Sequence, residues 1–335
     1  MNKTVAIVLT YNRLALLQEC INSLRCQSEP VDQILVVNNA STDGTKEWLQ
    51  DQADLLVFTM PFNMGGSGGF VKAISEAYAL DFDWIWILDD DAFPEKDCLR
   101  KLKEVAATKD KKIVLAPLVI EGDRIDHEHR GFIDFKRIKF PLQVTTSDQL
   151  IQAADPVTQI SFASFIGMFI GREIVSDVQF PNASYFIFQD DLEYCIRIGK
   201  AGYPIFLVKS AVVHHKVKGT KPIEQFFSGT TAALSTKKPG RTVLQFLQDK
   251  RVKYIDPARI NPLLFISKRN WIWTIMQHHG MSFRLAIYLF KDISRSMTYV
   301  LLSKGNNMRL FSLFRATYMQ GLTGRLNNQQ FLNKR

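Results

Sequence analysis

Three consecutive carboxylates, Asp89, Asp90 and Asp91, close the apolar run Trp84-Ile-Trp-Ile-Leu88 and lead into Ala-Phe-Pro94. Adjacent carboxylates repel one another and are costly to bury unless a cation sits among them. Side chains alternate along an extended chain, which sends Asp89 and Asp91 to one side and Asp90 to the other. Two hard oxygen ligands on one side suit Mn2+ or Mg2+, with phosphate oxygens and water completing the shell. Pro94 is expected to stop the strand ladder. A solvated acidic turn is the competing reading, and the strand before the triplet weighs against it.

A second pair of acids, Asp190 and Asp191, opens the run Asp190-Asp-Leu-Glu-Tyr-Cys-Ile-Arg197, where Leu192, Cys195, Ile196 and Ile198 have the spacing of a packed helix. Acids in a first helical turn serve as caps and dipole partners. Brought near the triplet, one of them supplies a general base beside a cation site. His214 and His215 end a further strand-like run, where an imidazole could contact the metal or a diphosphate. Asp126, His127, Glu128 and His129 have the residue types of a metal cluster, but they lie in a mixed-charge run that reads as a solvated loop. Asn63-Met-Gly-Gly-Ser-Gly-Gly-Phe70 carries Gly65, Gly66, Gly68 and Gly69 just before a helix. Such a turn lets backbone approach a ligand closely and puts a helix N-terminus beside an anion.

These groups need a scaffold, and the chain offers one. Short apolar runs at 4–9, 34–37, 55–58 and 84–88 alternate with helical patterns at 14–24, from 45, and from about 65 to 80. That alternation predicts an α/β fold with a mostly parallel, doubly wound sheet. Ligands bind such sheets at the carboxyl ends of the strands, so residues 10–13, 38–43, 63–69 and 89–91 should converge on one crevice. Further along, 95–107 reads as a helix and 113–116 as a strand. The stretch 117–160 reads as loops and hairpins over the crevice, and Ile160–Ile170 as one core strand. A catalytic domain over 1–225 and a helical, basic, amphipathic region over 226–335 account for the length.

The composition is that of an ordinary globular protein, with 46% hydrophobic and 22% charged residues. No secretory leader is expected, and Cys20, Cys26, Cys98 and Cys195 have neither zinc-finger spacing nor disulfide-framework density, which fits a reducing cytoplasm. The net charge of +9 is unevenly placed. Residues 251–335 hold 14 Lys and Arg against two acids, a net +12, whereas residues 1–250 hold 28 against 31, a net −3. The basic tail suits an anionic membrane surface or nucleic acid. Within it Phe283–Leu302 is about the length of a membrane span, but Arg284, Lys291, Asp292 and Arg295 interrupt it, as in an interfacial helix. A helical lid packed on the catalytic domain is compatible with the same pattern.

Thr-Tyr-Asn-Arg at 10–13, Asn-Asn-Ala-Ser-Thr-Asp-Gly-Thr at 38–45, the Asp89–Asp91 triplet and Asp-Asp-Leu-Glu-Tyr with Arg at 190–197 resemble, in order and spacing, the family 2 inverting glycosyltransferases. The resemblance spans about Val5 to His215. The glycine stretch is most similar to that of bacterial galactofuranosyltransferases, with the rhamnosyltransferases of O-antigen and capsule synthesis next. Lys268-Arg-Asn270 and Gly321-Leu-Thr-Gly-Arg325 resemble the tail of that subgroup. What the resemblance implies is a GT-A fold and a Mn2+- or Mg2+-dependent sugar transfer from a nucleoside diphosphate donor, best UDP-galactofuranose, to a lipid-linked glycan at the inner face of the cytoplasmic membrane. Thr10, Arg13 and Asn38 would hold the nucleotide. Asn38 stands where many relatives carry Asp, and its side-chain oxygen would accept a uracil N–H. Asn63 and the four glycines would lie near donor sugar and phosphates, with Asp89 and Asp90 on the donor. Asp89, Asp91 and His215 (or His214) would hold the metal, and Asp191 (or Asp190) would be the base. Arg269, Trp271 and Trp273 would meet acceptor sugar or lipid headgroups.

Other classes fit less well. A sugar nucleotidyltransferase needs a strongly basic phosphate loop after the first strand, where this chain offers Arg13 alone. A non-catalytic membrane or nucleic-acid binding module leaves both carboxylate clusters without a role, and no nucleic-acid partner is expected.

Overall fold

The apolar runs at 4–9, 34–37 and 84–88 become strands buried on both faces, and the run at 55–58 becomes a half-buried edge strand. β1 (Thr4–Thr10) has every residue buried, and β2 (Gln33–Asn38), β3 (Leu55–Thr59) and β4 (Trp84–Asp89) pair beside it. β1 runs parallel to β2 and β4, and β2 parallel to β3. The computed structural model describes residues 3–109, 112–126, 128–136, 138, 140, 144–145, 155–216, 262–302 and 307–332. The expected boundary at 225/226, and His127, lie outside them.

Alternation divides β1 between two cores. Val5, Ile7 and Leu9 pack with Phe70, Ala73 and Ile74 of helix α3 (Gly65–Ala79), whereas Ala6 and Val8 pack with Leu17 and Ile21 of helix α1 (Leu14–Arg25). Helix α2 (Thr45–Gln50) links β2 to β3. Helices on both faces explain why these strands carry no polar alternation.

The second half of the sheet is mixed. The next elements are β5 (Ala92–Pro94), helix α4 (Cys98–Ala107), β6 (Val114–Glu121), β7 (Arg124–Ile125), β8 (Arg130–Ile133), β9 (Val144–Thr145), β10 (Val157–Ile160), β11 (Phe162–Ala163) and β12 (Met168–Gly171). Helix α5 (Arg172–Val178), helix α6 (Asp190–Lys200) and β13 (Ile205–His215) follow. The sheet order is β10-β13-β6-β12-β4-β1-β2-β3, with β12 antiparallel to β4 and β6, and β13 parallel to β6. Three expectations change here. Pro94 does not end the ladder: β5 pairs with the end of β13, Val213 opposite Pro94 and His215 opposite Ala92. Residues 160–170 are not one strand but the end of β10, then β11 in a separate small sheet with β8, then β12. The strand expected at 113–116 extends to Glu121, so part of the expected loop region is sheet.

The chain divides into two compact units, one of residues 1–137 and 142–217, the other of 138–141 and 218–335. The second contains helices α7 (Leu263–His279), α8 (Phe283–Leu302), α9 (Asn307–Thr323) and α10 (Gln329–Leu332). Here Arg269 and Trp271 depart from expectation, because both are fully buried. The Arg269 guanidinium donates to Asn270 at 2.7 Å and Gln320 at 3.3 Å, and Trp271 packs against Phe140 and Tyr288. They are core residues of the helical unit and offer no surface to a glycan or a headgroup. Trp273 is half-buried over Gly324. Among the described residues no helix is long and apolar enough to cross a membrane.

Candidate active site

The loops after β1 and β2 fasten to each other. Asn12, with a left-handed φ of 54°, donates its N–H to Ser41 Oγ at 3.0 Å and accepts from Thr42 N–H at 2.7 Å. Asp43 accepts from Leu14 N–H at 3.0 Å, satisfying an orphan donor at the start of α1 from the neighbouring loop. Arg13, between these anchors, reaches the acidic turn.

β4 ends at Asp89 and the chain turns at Asp90, so strand alternation does not carry through the triplet. Asp90 and Asp91 instead converge on one guanidinium nitrogen, Arg13 Nη1, at 3.2 and 2.5 Å. Thr10 Oγ1 donates to Asp90 at 2.7 Å, so its hydroxyl holds a carboxylate. The three acids sit in different electrostatic surroundings. Burial, then the charges of Asp91 and Asp90, holds the Asp89 carboxyl well above its usual range. Burial lifts Asp90 to about 6 against the pull of Arg13 and Thr10. Burial acts on Asp91 too, but His215 and Arg13 outweigh it and hold that carboxyl below the usual value.

β13 delivers its two histidines to opposite sides. His215 Nε2 lies 3.5 Å from Asp91 and the ring is largely buried, whereas His214 pairs with Glu95 at 3.1 Å on an exposed side. His215, not His214, therefore meets the acidic turn. Beside it stands a pair the sequence hid. His129 Nε2 is 3.1 Å from Asp126 Oδ2, and its ring meets His215 edge-on with centroids 5.0 Å apart. His129 Nδ1 is 3.0 Å from Ser164 Oγ. Burial raises the Asp126 carboxyl, yet His129 draws it down to about 2. Arg130, 3% exposed, fixes this corner by donating to the carbonyls of Pro117 (2.8 Å), His129 (2.6 Å) and Ile166 (2.5 Å). The mixed-charge run is therefore no solvated loop at 126, 129 and 130. The ligand atoms of Asp126, His129 and His215 lie within 4.8 Å of one another. His215 Nδ1 is buried without a hydrogen-bond partner. One carboxylate oxygen and two imidazole nitrogens together fit a divalent cation.

The glycine turn does less than expected at three of its four glycines. Gly65 has φ +73°, and a Cβ there would lie 2.1 Å from the Phe186 carbonyl oxygen. A Cβ on Gly69 would lie 2.3 Å from the Leu9 side chain, and one on Gly68 2.7 Å from Met64. Gly69 seats α3 against β1, Gly65 lets the turn approach the Phe186 backbone, and Gly68 makes room for Met64. Gly66 alone of the four faces open space. Asn63 accepts from Gly65 N–H at 2.7 Å and from Asn39 Nδ2 at 3.0 Å. Asn39, which sequence reasoning passed over, also receives Met64 N–H at 3.0 Å and so ties β2 to this turn. Asn38 is fully buried, and its side-chain oxygen already accepts Ser41 N–H at 2.9 Å. The amide nitrogen is the unpartnered atom. Toward a base it is available to donate to a carbonyl, and the oxygen keeps a second lone pair for the expected N–H.

α6 opens with Asp190 and Asp191 after Gln189, which has a left-handed φ of 69°. Asp190 is 7% exposed, and burial raises its carboxyl. Its charge helps raise Asp89, which places the start of α6 at the acidic turn. Asp191 is half-buried and accepts Leu192 N–H at 2.7 Å. Burial, then the neighbouring Asp190, pushes it up to about 7. A carboxylate tuned to that value suits proton abstraction near neutrality.

Comparison with known proteins agrees with this geometry. The model of "Glycosyl transferase family 2" matches residues 5–170. Galactofuranosyltransferase GlfT1 of Mycolicibacterium smegmatis is 25% identical over 228 residues, 67% of this chain and 74% of that protein. GlfT1 of Mycobacterium tuberculosis is 23% identical over 245 residues, 70% of this chain and 77% of that protein. Among solved structures, S. aureus TarS 1-349 in complex with UDP-GlcNAc superposes with a TM-score of 0.52 at 15% identity, over 97% of this chain and 82% of that one. GalNAc-T7 with UDP, GalNAc and Mn2+ gives a TM-score of 0.53 at 14% identity, over 89% of this chain but 58% of that one. The sheet and its flanking helices form a GT-A fold, residues 5–170 match a family 2 glycosyl transferase domain, and the chain is a glycosyltransferase similar to the galactofuranosyltransferases.

Proposed function

We propose that the protein transfers a galactofuranosyl group from UDP-galactofuranose to a hydroxyl of a lipid-linked glycan in bacterial cell-surface polysaccharide synthesis, with inversion. The observation that carries the reading is the Asp191 carboxyl held at about 7 at the mouth of α6, where the acidic turn also converges. Its carboxylate takes the acceptor proton as that oxygen bonds to the anomeric carbon. The carbon–oxygen bond to the diphosphate breaks, and UDP leaves with the electron pair. Asp91 and His215, with Asp89 alongside, would hold a divalent cation, whose chemistry there would be charge neutralisation at the leaving group. Thr10 holds Asp90 in place, Arg13 lies within reach of phosphate, and Gly66 leaves room for donor backbone contact. The choice of galactofuranose is supported by similarity to the GlfT1 proteins, and the choice of a nucleotide donor by the complexes of TarS and GalNAc-T7.

The reading extends to location. On α8, Leu285, Leu289, Asp292 and Ser296 are buried, and Phe283, Ile287 and Phe290 are exposed together with Arg284, Lys291 and Arg295. An apolar row mixed with bases suits the surface of an anionic membrane, where a lipid-linked acceptor resides. Donor screening tests the chemistry. UDP-galactofuranose, UDP-galactose, UDP-glucose and dTDP-rhamnose are each offered with a lipid-linked glycan, and nucleoside diphosphate release is measured. UDP-galactofuranose should turn over fastest. Preference for dTDP-rhamnose would make the enzyme a rhamnosyltransferase, and release from none of the four would end the proposal.

A further inference from the structure

Two imidazoles and two carboxylates meet at the end of β13, and half of that set comes from a segment with no expected role. His215 faces Asp91 at 3.5 Å, while the Asp126–His129 pair brings its ligand atoms within 4.8 Å of those of His215. We propose that Asp126 and His129 are direct ligands of the divalent cation together with His215, so that the site is nitrogen-rich and selects Mn2+ over Mg2+. This rests on the metal-dependent transfer proposed above and adds two ligands to it.

Three observations carry the assignment. A ligating imidazole is typically oriented through its second nitrogen by an oxygen partner. His129 has that arrangement: Nδ1 is 3.0 Å from Ser164 Oγ, which leaves Nε2 on the side of Asp126. The support is rigid, because Arg130 is buried and donates both to the His129 carbonyl at 2.6 Å and to Ser164 Oγ at 3.3 Å. The hydrogen bond between Asp126 and His129 is complete as a structural pair. It gives no reason for a second imidazole, whose Nε2 faces Asp91 at 3.5 Å, to stand edge-on at 5.0 Å. A shared cation gives that reason. Mg2+ demands a near-ideal octahedral oxygen shell and dehydrates reluctantly, whereas the first-row transition ions bind nitrogen-containing sites in rising affinity from Mn2+ upward. Two histidines in one site therefore bias the choice of ion.

The experiment adds Mn2+ alone to the full chain and reads the electron spin-echo modulation of the bound ion, which reports directly ligated nitrogen. Couplings to two imidazole nitrogens are expected in the unmodified protein, and one in His129→Ala. Calorimetry should show Mn2+ binding weakened about tenfold or more in His129→Ala and in Asp126→Asn. Mg2+ binding should change little in His129→Ala and should weaken with Mn2+ binding in Asp126→Asn. A single nitrogen in the unmodified protein overturns the proposal, whatever the variants do. If that single-nitrogen ion is released by Asp91→Asn, the metal-dependent transfer stands and only the two extra ligands fall. If Mn2+ fails to bind with or without UDP, the metal-dependent reading falls with them.

Discussion

The proposed base, Asp191, and its neighbour Asp190 differ in exposure. Asp190 is 7% exposed, while Asp191 is half-buried with its carboxyl at about 7. Asp191→Asn should cut kcat by about 10²–10⁴-fold with donor affinity nearly intact, since the lost group acts on the acceptor. The pH profile gives a second check. The base works deprotonated, so its raised pKa predicts that kcat/KM climbs as pH rises to about 7 and levels above it. An acidic limb near pH 4, or one that persists in Asp191→Asn, would assign the proton to another group. At this scale the sequence exposed the acids and His215, because charge repulsion and strand ends leave marks on residue type. It concealed where Asp90 and Asp91 point, because a turn at Asp90 cancels strand alternation. It also concealed Arg130, whose carbonyl partners Pro117 and Ile166 are distant in sequence, so that a buried arginine read as a solvated charge.

The early elements were legible because each strand is apolar throughout and each connection is short. Residues 160–170 misled for the same reason: a continuous apolar run cannot report where the chain breaks between sheets. The glycines misled differently, since Gly65, Gly68 and Gly69 serve packing that no local pattern reveals. Substitution separates the roles. Gly69→Ala puts a Cβ 2.3 Å from Leu9 and should cost about 1–3 kcal/mol, read as a lowered melting temperature. Gly66→Ala meets nothing within 4 Å and should leave stability unchanged or slightly higher, as expected for alanine in a helix. A fall in donor affinity in Gly66→Ala, measured by UDP titration, would place backbone approach to the donor at that residue. Equal melting temperatures for the two variants would mean that α3 can slide away from β1.

For the whole molecule, the division of charge is the organising fact. Residues 251–335 carry a net +12 and the remainder −3. Each Lys or Arg close to an anionic bilayer contributes about 1 kcal/mol, screened over a Debye length. Four or five such residues would give about 4–5 kcal/mol, to which the exposed apolar side chains of α8 add. The protein should therefore float with anionic vesicles, and raised salt should weaken that association without abolishing it. Equal and poor flotation with neutral and anionic vesicles would remove the membrane role of the helical unit. The aromatic and basic pattern around 268–273 pointed to a surface, yet Arg269 and Trp271 are interior. Aromatic residues interleaved with bases look alike in sequence whether they face lipid or other helices.

Arg13 lies across Asp90 and Asp91 with one nitrogen shared between them. The protein thus carries its own surrogate counter-ion at the acidic turn. A cation that took Asp91 would take it from Arg13, and the released guanidinium would find a partner in a diphosphate. Metal and donor would then favour each other's entry, and by reciprocity each would raise the affinity of the other by the same factor. Cooperation of that kind requires no large rearrangement of the fold, only one side chain changing partners.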